Sequence, residues 1–87
     1  MGKDFIGQVN HVFMEKGIIK VFLTKNLKIG DTIIIDGDAG SEDSDGVTLK
    51  VNALSIEGIN VELGYPGDTV EINVVHKIKL GSAVYKI

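Results

Sequence analysis

Ile29-Gly30-Asp31-Thr32-Ile33 recurs as Pro66-Gly67-Asp68-Thr69-Val70 and, more loosely, as Leu80-Gly81-Ser82-Ala83-Val84. In each copy the glycine supplies a positive φ at no steric cost. The Asp or Ser after it can hydrogen-bond nearby main chain, and an apolar, alternating segment then begins. The spacing predicts a turn that launches a strand, written three times. Short strands separated by glycine turns build a barrel or a sandwich. The same pattern says little about activity.

Working outward, residues 5–14 (FIGQVNHVFM) alternate, with Gly7, Val9, His11 and Phe13 on one face and Ile6, Gln8, Asn10 and Val12 on the other. Glu15-Lys16-Gly17 makes a hairpin turn into residues 18–24, where Ile19, Val21 and Leu23 oppose Ile18, Lys20, Phe22 and Thr24. Thr32-Ile33-Ile34-Ile35-Asp36 is strongly β-branched. Residues 37–46 (GDAGSEDSDG) are too polar to pack and are expected to form a flexible acidic loop. Val47, Leu49, Val51 and Ala53 alternate until Leu54 and Ile56 take over the apolar phase, the mark of a bulge or a bend at a barrel corner. No segment keeps apolar residues at helical spacing for three turns.

A chain of 87 residues supports one domain, residues 1–87, and closure of the sheet is the economical way to remove its exposed edges. There is no cysteine, so disulfides, thiol nucleophiles and the common zinc frameworks are absent. No apolar run of about twenty residues is present. No signal peptide is readable at the start, and Ile6 stands where a myristoylation motif needs Ser or Thr. The expectation is a cytoplasmic protein without a membrane segment. Net charge is −3 and all nine basic residues are lysines. Without the bidentate guanidinium fork, tight direct nucleic-acid binding is disfavoured.

Read in order, four stretches resemble the second-domain β-barrel of the translational GTPases, found in elongation factor Tu and bacterial initiation factor two. They are Ile6-Gly7-Gln8-Val9 with Gly17-Ile18-Ile19-Lys20-Val21, Leu27-Lys28-Ile29-Gly30-Asp31-Thr32-Ile33, Val51-Asn52-Ala53-Leu54-Ser55-Ile56, and Gly67-Asp68-Thr69-Val70-Glu71-Ile72. The likeness spans residues 5–87 and is closest to small free-standing elongation-factor-like proteins. Those proteins end in a segment similar to Lys79–Ile87 and have a first strand similar around His11 and Phe13. Tyr65-Pro66 departs from the small residue usual there. The resemblance implies a closed antiparallel barrel of about six to seven strands, of the elongation factor domain 2 type. It also implies a ribosome-related partner. No GxxxxGK[ST] loop is present, so GTP chemistry does not come with it.

The remaining constellations are weak. Asp36, Asp38, Glu42, Asp43 and Asp45 have the oxygen chemistry of a cation site, but the EF-hand register starting at Ser41 ends on Asn52 instead of a bidentate Glu. His11 and His76 read as strand residues near the rim, and Ser41, Ser44, Ser55 and Ser82 lack a nucleophile elbow. No catalytic residue, metal ligand or cofactor is therefore assigned. Lys16, Lys20, Lys25 and Lys28 gather around the first hairpin, and Lys77, Lys79 and Lys86 lie near the end. Ile18, Phe22, Ile34 and Val75 fall in the phase opposite their core neighbours.

Together with Lys20, those four apolar residues are the expected partner-binding set, facing a protein, a ribonucleoprotein or a second copy of the chain. The sequence reads first as a non-catalytic translation-factor-like binding module. The second reading is an accessory or structural domain associated with a larger enzyme such as a peptidase.

Overall fold

In the computed structural model, residues 4–36, 46–75 and 77–87 are described. Among them are ten strands: β1 (Asp4–Phe13), β2 (Ile18–Leu23), β3 (Leu27–Lys28), β4 (Thr32–Ile35), β5 (Val47–Lys50), β6 (Leu54–Ile56), β7 (Ile59–Val61), β8 (Leu63–Gly64), β9 (Thr69–Asn73) and β10 (Ala83–Lys86). Eight form one sheet in the order β5-β4-β10-β1-β2-β9-β6-β7, and β3 pairs with β8 separately. Every pairing is antiparallel.

The order contains a severe constraint. β5 ends the sheet on one side and β6 lies next to the last strand on the other, yet only Val51-Asn52-Ala53 join them. Across a flat sheet that step would span about 29 Å. From Lys50 to Leu54 the chain reaches at most about 14 Å. The sheet must therefore curl until its ends approach each other, with one face turned inward. That concave face holds the core: Ile19, Val21 and Leu23 from β2, Ile33 and Ile35 from β4, Val70 and Ile72 from β9, and Val84 from β10.

The expected closed barrel of six to seven strands is corrected to a curled, open ladder, since β5 and β7 do not pair. The physical reason is the link itself, which runs irregular backbone through the place where a closing ladder would lie. The first glycine turn bridges the seam instead. Gly30 N donates to Val51 O and Val51 N donates to Asp31 O, both at 2.8 Å, while Ile29 N donates to Glu62 O beyond β7 at 3.0 Å. Lys86 braces the turn, its Nζ lying 3.6 Å from Asp31 Oδ2 and donating to Asn26 O at 3.3 Å.

The other two glycine turns repeat this device. Gly67 N and Asp68 O bracket Leu23, and Gly81 N and Ser82 O bracket Val9, all at 2.8–2.9 Å. In each turn the fourth residue donates its N–H to the carbonyl of the first, and the glycine has φ of 101°, 94° or 89°. This is the type II pattern, with Pro66 in the position where proline is favoured. Asp31 and Asp68 also accept from the first residue's N–H, at 3.0 and 2.9 Å, whereas the Ser82 hydroxyl donates to the Lys79 carbonyl.

β1 departs from simple alternation. Its register slips between Phe5 and Gly7 against β10 and between Val9 and His11 against β2. These two bulges place Ile6 and Val9 in the core and turn Val12 inward, so the expected grouping of His11 and Phe13 with Val9 is wrong. The phase change before Leu54 is the seam crossing itself.

At Gly67 a Cβ would meet nothing within 4 Å, so Gly67→Ala is expected to lose only the left-handed backbone preference, about 1–2 kcal/mol. At Gly7 a Cβ would overlap the Phe22 carbonyl oxygen, so Gly7→Ala is expected to cost at least about 3 kcal/mol. Urea midpoints of the two variants check this order, and a Gly7→Ala protein as stable as Gly67→Ala would contradict the bulged register.

Candidate functional site

The turn end of the β1–β2 hairpin carries the candidate site. Lys16 N and Gly17 N donate to Phe13 O and Met14 O, each at 3.2 Å, which tightens the turn. β2 then pairs with β9 from Ile18 opposite Asn73. Beyond Asn73 the chain leaves the sheet but stays pinned to the hairpin, because Val74 N donates to Gly17 O at 2.7 Å. Val74 turns into the core, while Val75 is 95% exposed and Met14 52% exposed. Between these segments lies a groove of about 240 Å³ lined by Phe13, Met14, Gly17, Ile18, Val74, Val75 and Lys77.

One side of the groove is aromatic and cationic. The Phe13 ring lies 4.3 Å from the His11 ring, centroid to centroid, with the Lys20 and Lys16 ammonium groups 5.6 and 5.9 Å from its centroid. Those distances are within cation–π range. Lys20 also faces Glu71, at 3.9 Å. The other carboxylate oxygen of Glu71 is committed elsewhere: Ser55 Oγ donates to it at 2.6 Å and Gly58 N at 3.2 Å. β6 meets β9 in register at Ser55 and Glu71, so this side chain fixes the β6–β7 hairpin to the sheet. The Ser55 hydrogen bond lowers the Glu71 pKa, helped by the Gly58 amide and the Lys20 and Lys16 charges, with burial opposing them.

Ile18 and Val75, from the expected partner-binding set, line this groove, and Lys20 adjoins it through Phe13. Phe22 is on the same convex face, farther along β2 between Gln8 and Thr69. Ile34 is on β4, opposite Tyr85 and three strands from β2, so it does not join them. The expected lysine group divides as well: Lys25 lies 4.0 Å from Asp4, and Lys28 borders a hollow at the seam with Ile29, Glu62 and Leu63. Phe13, Met14 and Lys77 complete the groove and were not legible as members of it. Simple alternation groups Phe13 with Val9, and the bulge at Asn10 breaks that grouping and turns Phe13 outward. Asp38, Ser41, Glu42, Asp43, Ser44, Asp45 and His76 lie outside the described residues.

Among the described residues no three His, Cys, Asp or Glu side chains converge as metal ligands, and no helix is long and apolar enough to cross a membrane. No protein-family model and no curated protein matches the sequence.

The structure is similar to that of the C-terminal domain of a Geobacillus thermoleovorans protein assigned to the U32 peptidases. The TM-score is 0.83 at 20% identity, covering 97% of this chain and 92% of that domain. The selenomethionine variant of the same domain gives 0.81 at 19% identity, over 93% and 96%. At such identity the likeness establishes the fold. It also corrects the resemblance to the elongation factor barrel, since the matched structures are a peptidase C-terminal domain and not a translation factor domain. Gly-Asp turns before strands are a local backbone device, and they do not by themselves distinguish one small β-fold from another.

Glu71→Ala is expected to cost about 1–2 kcal/mol, as befits a hydrogen-bonded carboxylate that is mostly but not fully covered. Because its pKa is lowered on folding, the charged form contributes stability above the ordinary Glu value of 4.5, and the contribution is lost as pH falls through the folded-state pKa. Glu71→Gln keeps an acceptor but no charge. The stability gap between the native chain and Glu71→Gln should therefore be largest at neutral pH and shrink on acidification below pH 4.5, measured by urea unfolding across pH.

Proposed function

We propose that this chain is a non-catalytic accessory domain that works with a larger peptidase-family protein, offering it a rigid docking surface. One observation carries the reading: the chain matches the C-terminal domain of a U32-assigned peptidase over nearly the full length of both. A domain of that kind contributes shape and contacts while the chemistry resides in the partner chain. The pinned groove between the hairpin and Val75 fits the task, because its walls are held by backbone bonds and lose little freedom on binding. The curled sheet is a scaffold in this reading, and peptide hydrolysis is not its own activity.

The test mixes the purified chain with a U32 peptidase-family catalytic chain from the same cell. Size-exclusion with light scattering reads the complex, and peptide hydrolysis is followed with and without the domain. A defined complex, together with altered hydrolysis of large substrates, is the expected result. Two species that elute independently, with hydrolysis unchanged, would overturn the reading, and a homodimer of the chain alone would favour a second copy as its partner.

A further inference from the structure

We propose that the groove at the end of the β1–β2 hairpin receives an acidic segment bearing one large apolar side chain, supplied by the peptidase-family partner. The source of the segment rests on the accessory-domain reading; its chemistry rests on the groove. Val75 and Met14 expose apolar surface there that the fold does not use, and a volume of about 240 Å³ suits one large side chain. Val74 N on Gly17 O fixes the spacing of the two walls.

Charge gives the sign of the partner. The chain as a whole carries −3, yet Lys16 and Lys20 stand over Phe13 and Lys77 lines the groove itself. Glu71, a carboxylate that could offset part of this cluster, gives one oxygen to Ser55 and Gly58 and faces only Lys20 with the other, and Glu15, beside Lys16 in the turn, is exposed and forms no ion pair with a described residue. Among the described residues neither Lys16 nor Lys77 has a carboxylate within ion-pair distance. Carboxylates flanking an apolar anchor would meet the two lysines while the anchor enters between Met14 and Val75. A nucleic-acid strand fits less well, because its affinity grows with the number of phosphates neutralised and of bases stacked, and the groove offers few lysines and one ring already flanked by His11.

The ¹⁵N-labelled chain is titrated with the peptide Asp-Glu-Gly-Phe-Asp-Glu, with the same peptide carrying Lys at its acidic positions, and with oligouridylate. The acidic peptide is expected to shift amides in residues 13–18 and those of Val74, Val75 and Lys77. Its affinity should fall about tenfold or more in the Lys16→Glu/Lys77→Glu double variant and in Val75→Asp, and should weaken in about 0.5 M salt. Ile34→Asp, on the far strand, should leave it unchanged. All these positions are at least partly exposed, and the variants' own spectra report whether they fold.

Equal shifts with the lysine peptide, no groove shifts with any probe, or tighter binding of oligouridylate with a steep salt dependence would each overturn the proposal. The variants are then assayed with the peptidase-family chain. If that chain binds the double variant as well as the native one, the groove proposal falls and the accessory reading stands. If the acidic peptide occupies the groove while the peptidase-family chain does not bind at all, the accessory reading falls and the groove chemistry stands.

Discussion

A three-residue link between a strand at one end of the sheet and the strand next to the other end governs this structure. Because Val51-Asn52-Ala53 cannot stretch across a flat eight-stranded sheet, the sheet has to wrap, and wrapping creates the single concave face that fills with Ile, Leu and Val. The link also keeps the wrap from becoming a closed barrel, since its irregular backbone occupies the seam. Buried backbone at such a place needs hydrogen-bond partners, because an unpaired buried amide or carbonyl costs about 1–3 kcal/mol. Gly30 N and Asp31 O satisfy Val51 on both sides, which turns the weakest part of the ladder into a two-bond bracket.

The same bracket on Leu23 and Val9 explains why the three glycine turns resemble one another more than strand-launching alone requires. Each turn both starts a strand and holds a core residue belonging to another part of the chain. The turn half of this was legible in the sequence, because a type II turn is decided by two or three adjacent residues and glycine and proline announce it. The bracket half was not, since the captured residue is 20 to 73 positions away and nothing at Val51, Leu23 or Val9 marks it locally. For the same reason the all-β class and most strands could be read from alternation, while closure could not. Closure depends on which strands become neighbours, and that is a property of the whole chain.

The candidate site divides along the same line. Ile18 and Phe22 were identifiable from phase, since a residue opposite the buried ones on a strand faces out wherever that strand lies, and Val75 keeps the alternation of β9 two residues past its end. Ile34 obeys the phase rule as well. Topology then places β10 and β1 between it and β2, so correct facing gave no guide to proximity. Phe13 fails in the opposite way: one extra residue at Asn10 reverses every position after it, and a single-residue bulge leaves no trace in an alternating apolar pattern.

Glu71 connects the scaffold to the site. A carboxylate held by a hydroxyl and a backbone amide on one oxygen has limited capacity to neutralise a lysine on the other, and 3.9 Å is a long ion pair. Lys20 is accordingly shared between Glu71 and the Phe13 ring, with neither claiming it fully. Had Glu71 been free to turn toward β2, it would pair more closely with Lys20 and draw that charge away from the groove. Anchoring it to the β6–β7 hairpin does two things at once. It fastens a part of the sheet that has little ladder of its own, and it leaves the lysines beside the groove with positive charge to offer a partner.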